Sequence, residues 1–174
     1  NSAIVGGVLF AIQSTMRTVE WRTLPNDENE TGPESDQGVE ILDSMREDMH
    51  TPWDDFISES LSMLPFGFAP HEIVYKKRLG RDPGPDPDRP GHDLPSSNYD
   101  DGLIGWNRLP LRGQDTIIKW FFDDNGIPKG MTQQPWIGPL VDIPMEKLLL
   151  FRPTYTKSNP EGYSILRTAY RAYY

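Results

Sequence analysis

Residues 78 to 101, RLGRDPGPDPDRPGHDLPSSNYDD, hold five prolines and six aspartates and scarcely an apolar side chain. A stretch this poor in apolar surface cannot offset the entropy of ordering its backbone. Proline is also excluded from helix interiors and central strands. The segment is therefore expected to be a mobile insertion at 78–101 rather than an element of the core. Helical spacing dominates the patterning before it, and strand-like runs dominate after it.

Residues 3–16 read as a helix in spite of Gly6 and Gly7, and TVEWRTLP (18–25) alternates like a strand with Val19 and Trp21 on one face. NDENETGPESDQG is a polar loop. Val39, Leu42, Met45 and Met49 then recur at helical spacing. Thr51-Pro52 opens a further helix, with Asp54 and Asp55 in the first turn where the dipole favours them. Its inner face is Phe56, Ile57, Leu61 and Leu64, and Pro65-Phe66-Gly67 stops it. FAPHEIVYKKR is rich in strand formers, and strands are also expected at 103–111, 116–122, 131–134 and 147–151. Asp124-Asn125-Gly126 is a hairpin turn, because Asn and Gly tolerate positive φ. The last helix follows Asn159-Pro160, with Ser164 as a second possible cap.

Helices, then strands, then a closing helix is the order of an α+β fold with a mainly antiparallel sheet. At 174 residues one domain, 1–174, is expected, interrupted by the insertion. Val39, Leu42, Met45, Phe56, Leu61, Leu64, Val74, Ile118, Trp120, Leu148 and Leu150 are expected to share its core. The chain starts on Asn1, in an apolar run, and its last helix meets no stop signal. It is therefore expected to be a piece of a longer protein.

Charge and composition exclude several functions. With 26 acidic against 17 basic residues the net charge is −9, which opposes tight binding to a phosphate backbone. It permits a surface past which DNA slides without sticking. There are no cysteines, so disulfides and thiolate metal sites are absent from the chain. The apolar run from Ala3 to Ile12 is half of the roughly 20 residues a membrane span needs, and reads as a buried helix.

Candidate chemistry is sparse. Asp27, Asn29, Thr31 and Gly32 match half of a calcium loop, but Gly38 stands where a bidentate Glu is required. Asn29-Glu30-Thr31 is a glycosylation triplet with no other sign of secretion. His50, His71 and His92 show no ligand spacing, and Tyr75 stands where a zinc helix starting at His71 would need its second His. Asp82, Asp86 and Asp88 invite comparison with nuclease metal carboxylates, which need rigid strands that this segment lacks. Phosphate-cradling loops and nucleophile turns are missing. Trp106, Trp120, Phe121, Phe122 and Trp136 lack a basic groove beside them, so sheet core or a protein interface accounts for them better than base stacking. No catalytic, cofactor or metal residue is assigned.

The order of four motifs is informative. The first is Gly67, Phe68, Glu72 and Ile73, directly after a helix. The second is Leu109 and Arg112, with Phe121-Phe122 beyond. The third is Ile143, Pro144, Lys147, Leu149 and Phe151. The fourth is Pro160, Gly162, Ser164, Leu166, Arg167, Ala169 and Tyr170. This series resembles the portal proteins of tailed bacteriophages, in their Mu-type branch, and it spans nearly the whole chain. The 78–101 insertion is longer than that pattern leads one to expect.

The resemblance implies a structural protein, not an enzyme: the wing region of a subunit in a dodecameric ring at one capsid vertex. It implies contacts with other copies, the major capsid protein, the terminase large subunit and the head–tail connector. Double-stranded DNA would pass through the channel without sequence-specific binding, no membrane would be involved, and no cofactor is implied. The location would be the virion, with the host cytoplasm during assembly. Arg167, Arg171 and Tyr174, on one face of the last helix, are the candidate subunit-interface residues. Rival readings are a phage-associated metal-dependent nuclease using the Asp-rich segment and another minor head protein.

Overall fold

A computed structural model of the chain describes residues 3–25, 32–154 and 159–168. The fold is α+β, and its contacts group the residues into two compact units, each built from separated stretches. The first comprises Asn1–Thr18, Asp54–Ile73 and Leu109–Tyr174; the second comprises Val19–Trp53 and Val74–Arg108.

In the first unit, helix α1 (Ala3–Arg17) forms as the spacing predicts, although none of its residues is fully buried. Helix α3 (Trp53–Ser60) carries Asp54 and Asp55 in its first turn and buries Phe56 and Ile57. (Helix α2 belongs to the second unit.) A tight turn through Leu61 leads into α4 (Met63–Phe66), which ends on Gly67 at φ +94°, a conformation that suits glycine. Strand β1 (Ala69–Glu72) pairs antiparallel with β7 (Leu148–Phe151), with Ala69 opposite Phe151 and Glu72 opposite Leu148.

The remaining sheet of this unit is β4 (Ile117–Phe122), β5 (Pro128–Gln133) and β6 (Val141–Pro144), all antiparallel. The turn between β4 and β5 uses the expected Asp-Asn-Gly run. Gly126 has φ +77°, and the Asp123 carboxylate accepts from the amides of Asn125 and Ile127. Met131 and Ile143 face each other across β5 and β6 and pack with Leu148 as a buried cluster, covered by Ile117, Trp120 and Met145.

In the second unit, helix α2 (Pro33–Glu47) starts six residues earlier than the apolar stripe suggests, with Pro33 in its first turn. Strand β2 (Val74–Lys77) pairs antiparallel with β3 (Ile104–Arg108). The strand expected at 18–25 is not formed. Residues 19–25 find no ladder partner and are held by side chains of α2 instead: Arg46 donates to the Trp21 carbonyl at 2.9 Å, and Thr23 donates to the Asp43 carboxylate at 2.5 Å.

The expected core is only partly assembled. Phe56, Leu61, Leu64 and Leu148 are buried in the first unit, while Val39, Leu42, Met45 and Val74 belong to the second. Ile118 is exposed because β4 bulges between Ile117 and Lys119, which makes Ile118 the extra residue and reverses the alternation. Leu42 is exposed because α2 turns a different row inward: Ile41, Ser44, Met45 and, just past its end, Asp48. The last helix opens at 166–168, with the Ser164 hydroxyl accepting from the Leu166 amide at 3.1 Å. Asn159 caps the preceding turn, accepting from the Glu161 amide.

Truncating Leu61 to Ala should destabilise the chain by ~2–5 kcal/mol in urea unfolding, since a buried Leu leaves a cavity. Leu42→Ala should change stability by about 0.5 kcal/mol or less. Similar losses at both positions would contradict the inward row described for α2.

Candidate functional site

All four sequence motifs meet around β1. Its outer edge is satisfied by the second motif: the Glu72 amide donates to the Pro110 carbonyl at 3.1 Å, and the Arg112 amide donates to the Pro70 carbonyl at 2.8 Å. The Arg112 guanidinium donates through both Nε, at 2.8 Å, and Nη2 to one carboxylate oxygen of Glu72. The other edge takes the third motif, through pairing with β7 and a bond from the Ile73 amide to the Lys147 carbonyl at 2.8 Å. Gln114 ties in the start of the strand, donating to the Phe68 carbonyl and the Ser62 hydroxyl.

His71, in the middle of β1, is wholly buried. Its Nδ1 lies 2.8 Å from the Leu109 carbonyl, which can only accept, so Nδ1 carries the proton. Nε2 faces the Ser60 hydroxyl at 3.2 Å, whose single proton goes to the Phe56 carbonyl at 2.8 Å. The rings of Phe56 and Phe151 meet the imidazole edge-on at 4.9 and 5.7 Å. Burial holds the His71 pKa below its ordinary value, although the Leu109 carbonyl and the charge of Glu59 pull it upward. A neutral, enclosed imidazole, bonded through Nδ1 and packed between two aromatic rings, is a structural pin, with no room for a substrate.

The fourth motif docks by glycine-to-glycine contact. A Cβ on Gly162 would stand 2.6 Å from the Thr154 carbonyl oxygen and closer still to that of Gly67. A Cβ on Gly67 would stand 2.6 Å from the Gly162 oxygen and 2.8 Å from the Ser164 nitrogen. Around this contact Pro160 is fully buried, the Ile165 amide donates to the Leu64 carbonyl at 3.0 Å, and the Trp120 indole donates to Glu161 at 3.0 Å.

Of the predicted interface residues, Arg167 is exposed, with its guanidinium 4.5 Å from the Tyr163 ring centre. Arg171 and Tyr174 lie outside the described residues, as do Asp27, Asn29 and Thr31 of the half calcium loop and its glycosylation triplet. Asp86, weighed as a metal carboxylate, is already engaged: Arg89 donates to it at 2.7 Å and the Asp88 amide at 2.9 Å. The bond from Arg89 holds its pKa below the ordinary carboxylate range. Among the described residues no three His, Asp or Glu side chains gather as metal ligands, and no helix is long and apolar enough to cross a membrane.

The sequence of the portal protein of Mu bacteriophage, as a family, matches this chain over residues 2–174. The chain belongs to the Mu bacteriophage portal protein family. No curated protein matches it. The family is one of structural, capsid-associated assemblies, and the motif residues of this portal chain have structural duties. Gly67 and Gly162 allow backbones to touch, Glu72 and Arg112 lock β1, and Ile143 fills the core.

The portal chain also contains a buried charged group that sequence reasoning missed. In the second unit the Lys76 ammonium, 2.9 Å from the Asp48 carboxylate, donates to the carbonyls of Asp48 and Ser96. The same carboxylate accepts from the Ser97 hydroxyl at 2.6 Å and the Asn98 amide at 2.7 Å. Burial pushes the Asp48 pKa up, but these hydrogen bonds and the Lys76 charge outweigh it, and the net shift is downward. Its partners stand 28 to 50 residues away, beyond any local pattern.

Gly162→Ala should destabilise the portal chain by ~1–3 kcal/mol, because neither carbonyl it meets can move freely. Gly38→Ala, inside α2 with open space around it, should stabilise it by ~0.5–1 kcal/mol. Thermal or urea unfolding of the two variants checks the pair.

Stability should also fall with acidification. The unfolded chain protonates His71 near the ordinary pKa of 6.5, before the folded state does. Folding is thus opposed as pH drops below about 6.5, by at most ~1.4 kcal/mol per pH unit from this group. Urea midpoints should fall between pH 7.5 and 5.5, and His71→Gln should flatten that fall.

Proposed function

We propose that this chain is the wing region of a portal subunit, and that subunits close into a ring, a dodecamer in the family resemblance, at one vertex of the capsid. In this reading DNA is packaged and ejected through the ring, which docks the terminase during packaging and the head–tail connector afterwards. The protein then resides in the virion, after assembly in the host cytoplasm. The match to the portal family across residues 2–174 is the observation that carries this reading.

The physical character of the chain agrees with it. A net charge of −9 keeps a polyanion from adhering to a conduit wall. The motifs form a stiff scaffold, which suits a part that must hold its shape under the forces of packaging. Arg167, together with Arg171 and Tyr174, is proposed as one patch through which neighbouring subunits meet, since Arg and Tyr combine contact area with hydrogen bonding.

Mass photometry and electron microscopy of the protein as its gene encodes it test the proposal. A closed ring at micromolar concentration is expected. A folded protein that stays monomeric or dimeric would overturn it.

A further inference from the structure

At the base of the Pro/Asp-rich segment the second unit holds an open polar cleft. Arg81 lines it where the segment leaves β2, and Ser96, Ser97 and Asn98 line it where the segment returns. Asp48, Met49 and His50, just past α2, and Lys76 of β2 complete the wall. The cavity measures about 350 Å³, near the lower end of the ~300–1,000 Å³ usual for small-molecule sites.

The buried charges in its wall are already matched. Asp48 Oδ2 accepts from the Ser97 hydroxyl and from Lys76, and Oδ1 accepts from the Asn98 amide. The three ammonium protons of Lys76 go to that carboxylate and to the carbonyls of Asp48 and Ser96. These two charges offset each other, and Lys76 has no proton left to give.

The remaining groups are donors. Residues 78–101 hold three arginines and six aspartates. Arg78 pairs with Asp101 and Arg89 with Asp86. Arg81 pairs with no carboxylate among the described residues, although Asp82 follows it in sequence. The His50 imidazole, the Ser96 hydroxyl and the Asn98 side-chain amide also have no partner among the described residues. An unpaired guanidinium with neutral donors around it matches an oxyanion, because its planar fork makes charge-assisted bonds to two oxygens at once.

We propose that this cleft binds a small phosphate-type oxyanion, with Arg81 supplying the charge and His50, Ser96 and Asn98 the further hydrogen bonds. Four donor side chains suit a tetrahedral group with four oxygens better than a carboxylate with two. A long polyanion such as DNA is disfavoured, since it would meet the aspartates of the same segment. The Asp48–Lys76 pair serves as the foundation of the site, because it holds the Ser96 carbonyl and the Asn98 amide in place. A bound anion then joins both ends of the segment to the end of α2.

Isothermal titration of inorganic phosphate into the gene-encoded protein, at an ionic strength held constant with chloride, tests the site. Saturable binding with a Kd of about 1 mM or tighter is expected. Arg81→Gln should weaken it by roughly tenfold or more, and Arg81→Lys should keep part of it. Arg81 is exposed and unpaired, so without phosphate the Gln variant should melt within about 2 °C of the parent. Phosphate should raise the melting temperature of the parent and leave that of Arg81→Gln where it was. Absence of saturable binding, or binding unchanged by Arg81→Gln, would overturn the proposal. Acetate binding as tightly as phosphate would also overturn it, by assigning the cleft to a carboxylate. So would a short DNA duplex that binds through Arg81, by assigning it to nucleic acid. None of these readouts depends on whether subunits close into a ring, so the site and the assembly can fail separately.

Discussion

Two glycines set the geometry of the first unit. Gly67 closes α4 in the left-handed region, and Gly162 brings its backbone to within van der Waals limits of it, so neither position has room for a Cβ. The contact fixes where β1 begins and where the last helix opens, at Ile165 on the Leu64 carbonyl. From that start, β1 has almost every backbone group engaged. Its one residue without an N–H, Pro70, offers its carbonyl to Arg112 instead. A strand of four residues cannot hold itself, but one bonded on both edges and pinned through His71 forms a stable centre for the elements around it.

The second unit is organised differently. Its buried side chains, among those described, are charged or polar: Asp48, Lys76, Arg78, Asp86 and Ser97. Arg78 shows how such a group is tolerated. It donates to the Ser44 hydroxyl at 2.9 Å, pairs with Asp101 at 2.6 Å and lies 4.0 Å from the Tyr99 ring centre, while its stem packs where Gly105 leaves space. Buried ion pairs add little net stability over apolar packing, because desolvation offsets the attraction. They are strict about geometry, however, since a carboxylate left without its partners is costly. Ser96, Ser97, Asn98, Tyr99 and Asp101 all come from the Pro/Asp-rich segment, which thus meets the rest of the unit through polar anchors.

How much of this could be read from the sequence follows from the range of the interactions. Leu61, Phe56 and Leu64 were legible because helical periodicity is local. The turn at Asp123–Gly126 was legible because its chemistry lies in adjacent residues. Ile118 was not, since a bulge is decided by what the neighbouring strand requires. Leu42 was misplaced because the inner row of α2 is part polar, and apolar spacing cannot register Ser44 and Asp48. The strand expected at 18–25 failed for want of a partner, which no local pattern supplies. At the candidate site, the resemblance identified Gly67, Glu72, Arg112 and Gly162, but it gave no reason for them. That reason is spatial: residues 95 positions apart touch backbone to backbone, and Glu72 meets an arginine 40 positions on.

The motif residues and the exposed apolar residues of the first unit are separate sets. The motif residues are buried or bonded to one another, so a change among them alters the scaffold before it alters any surface. The tip at Trp136 and Ile137 stands outside that scaffold, almost wholly exposed. An exposed loop keeps its position when the sheet behind it is fixed by other residues. Here the Trp136 loop springs from β5, whose Met131 and Thr132 are buried and whose Thr132 hydroxyl donates to Asp142 of β6 at 2.6 Å. That bond ties the two strands together at the root of the loop.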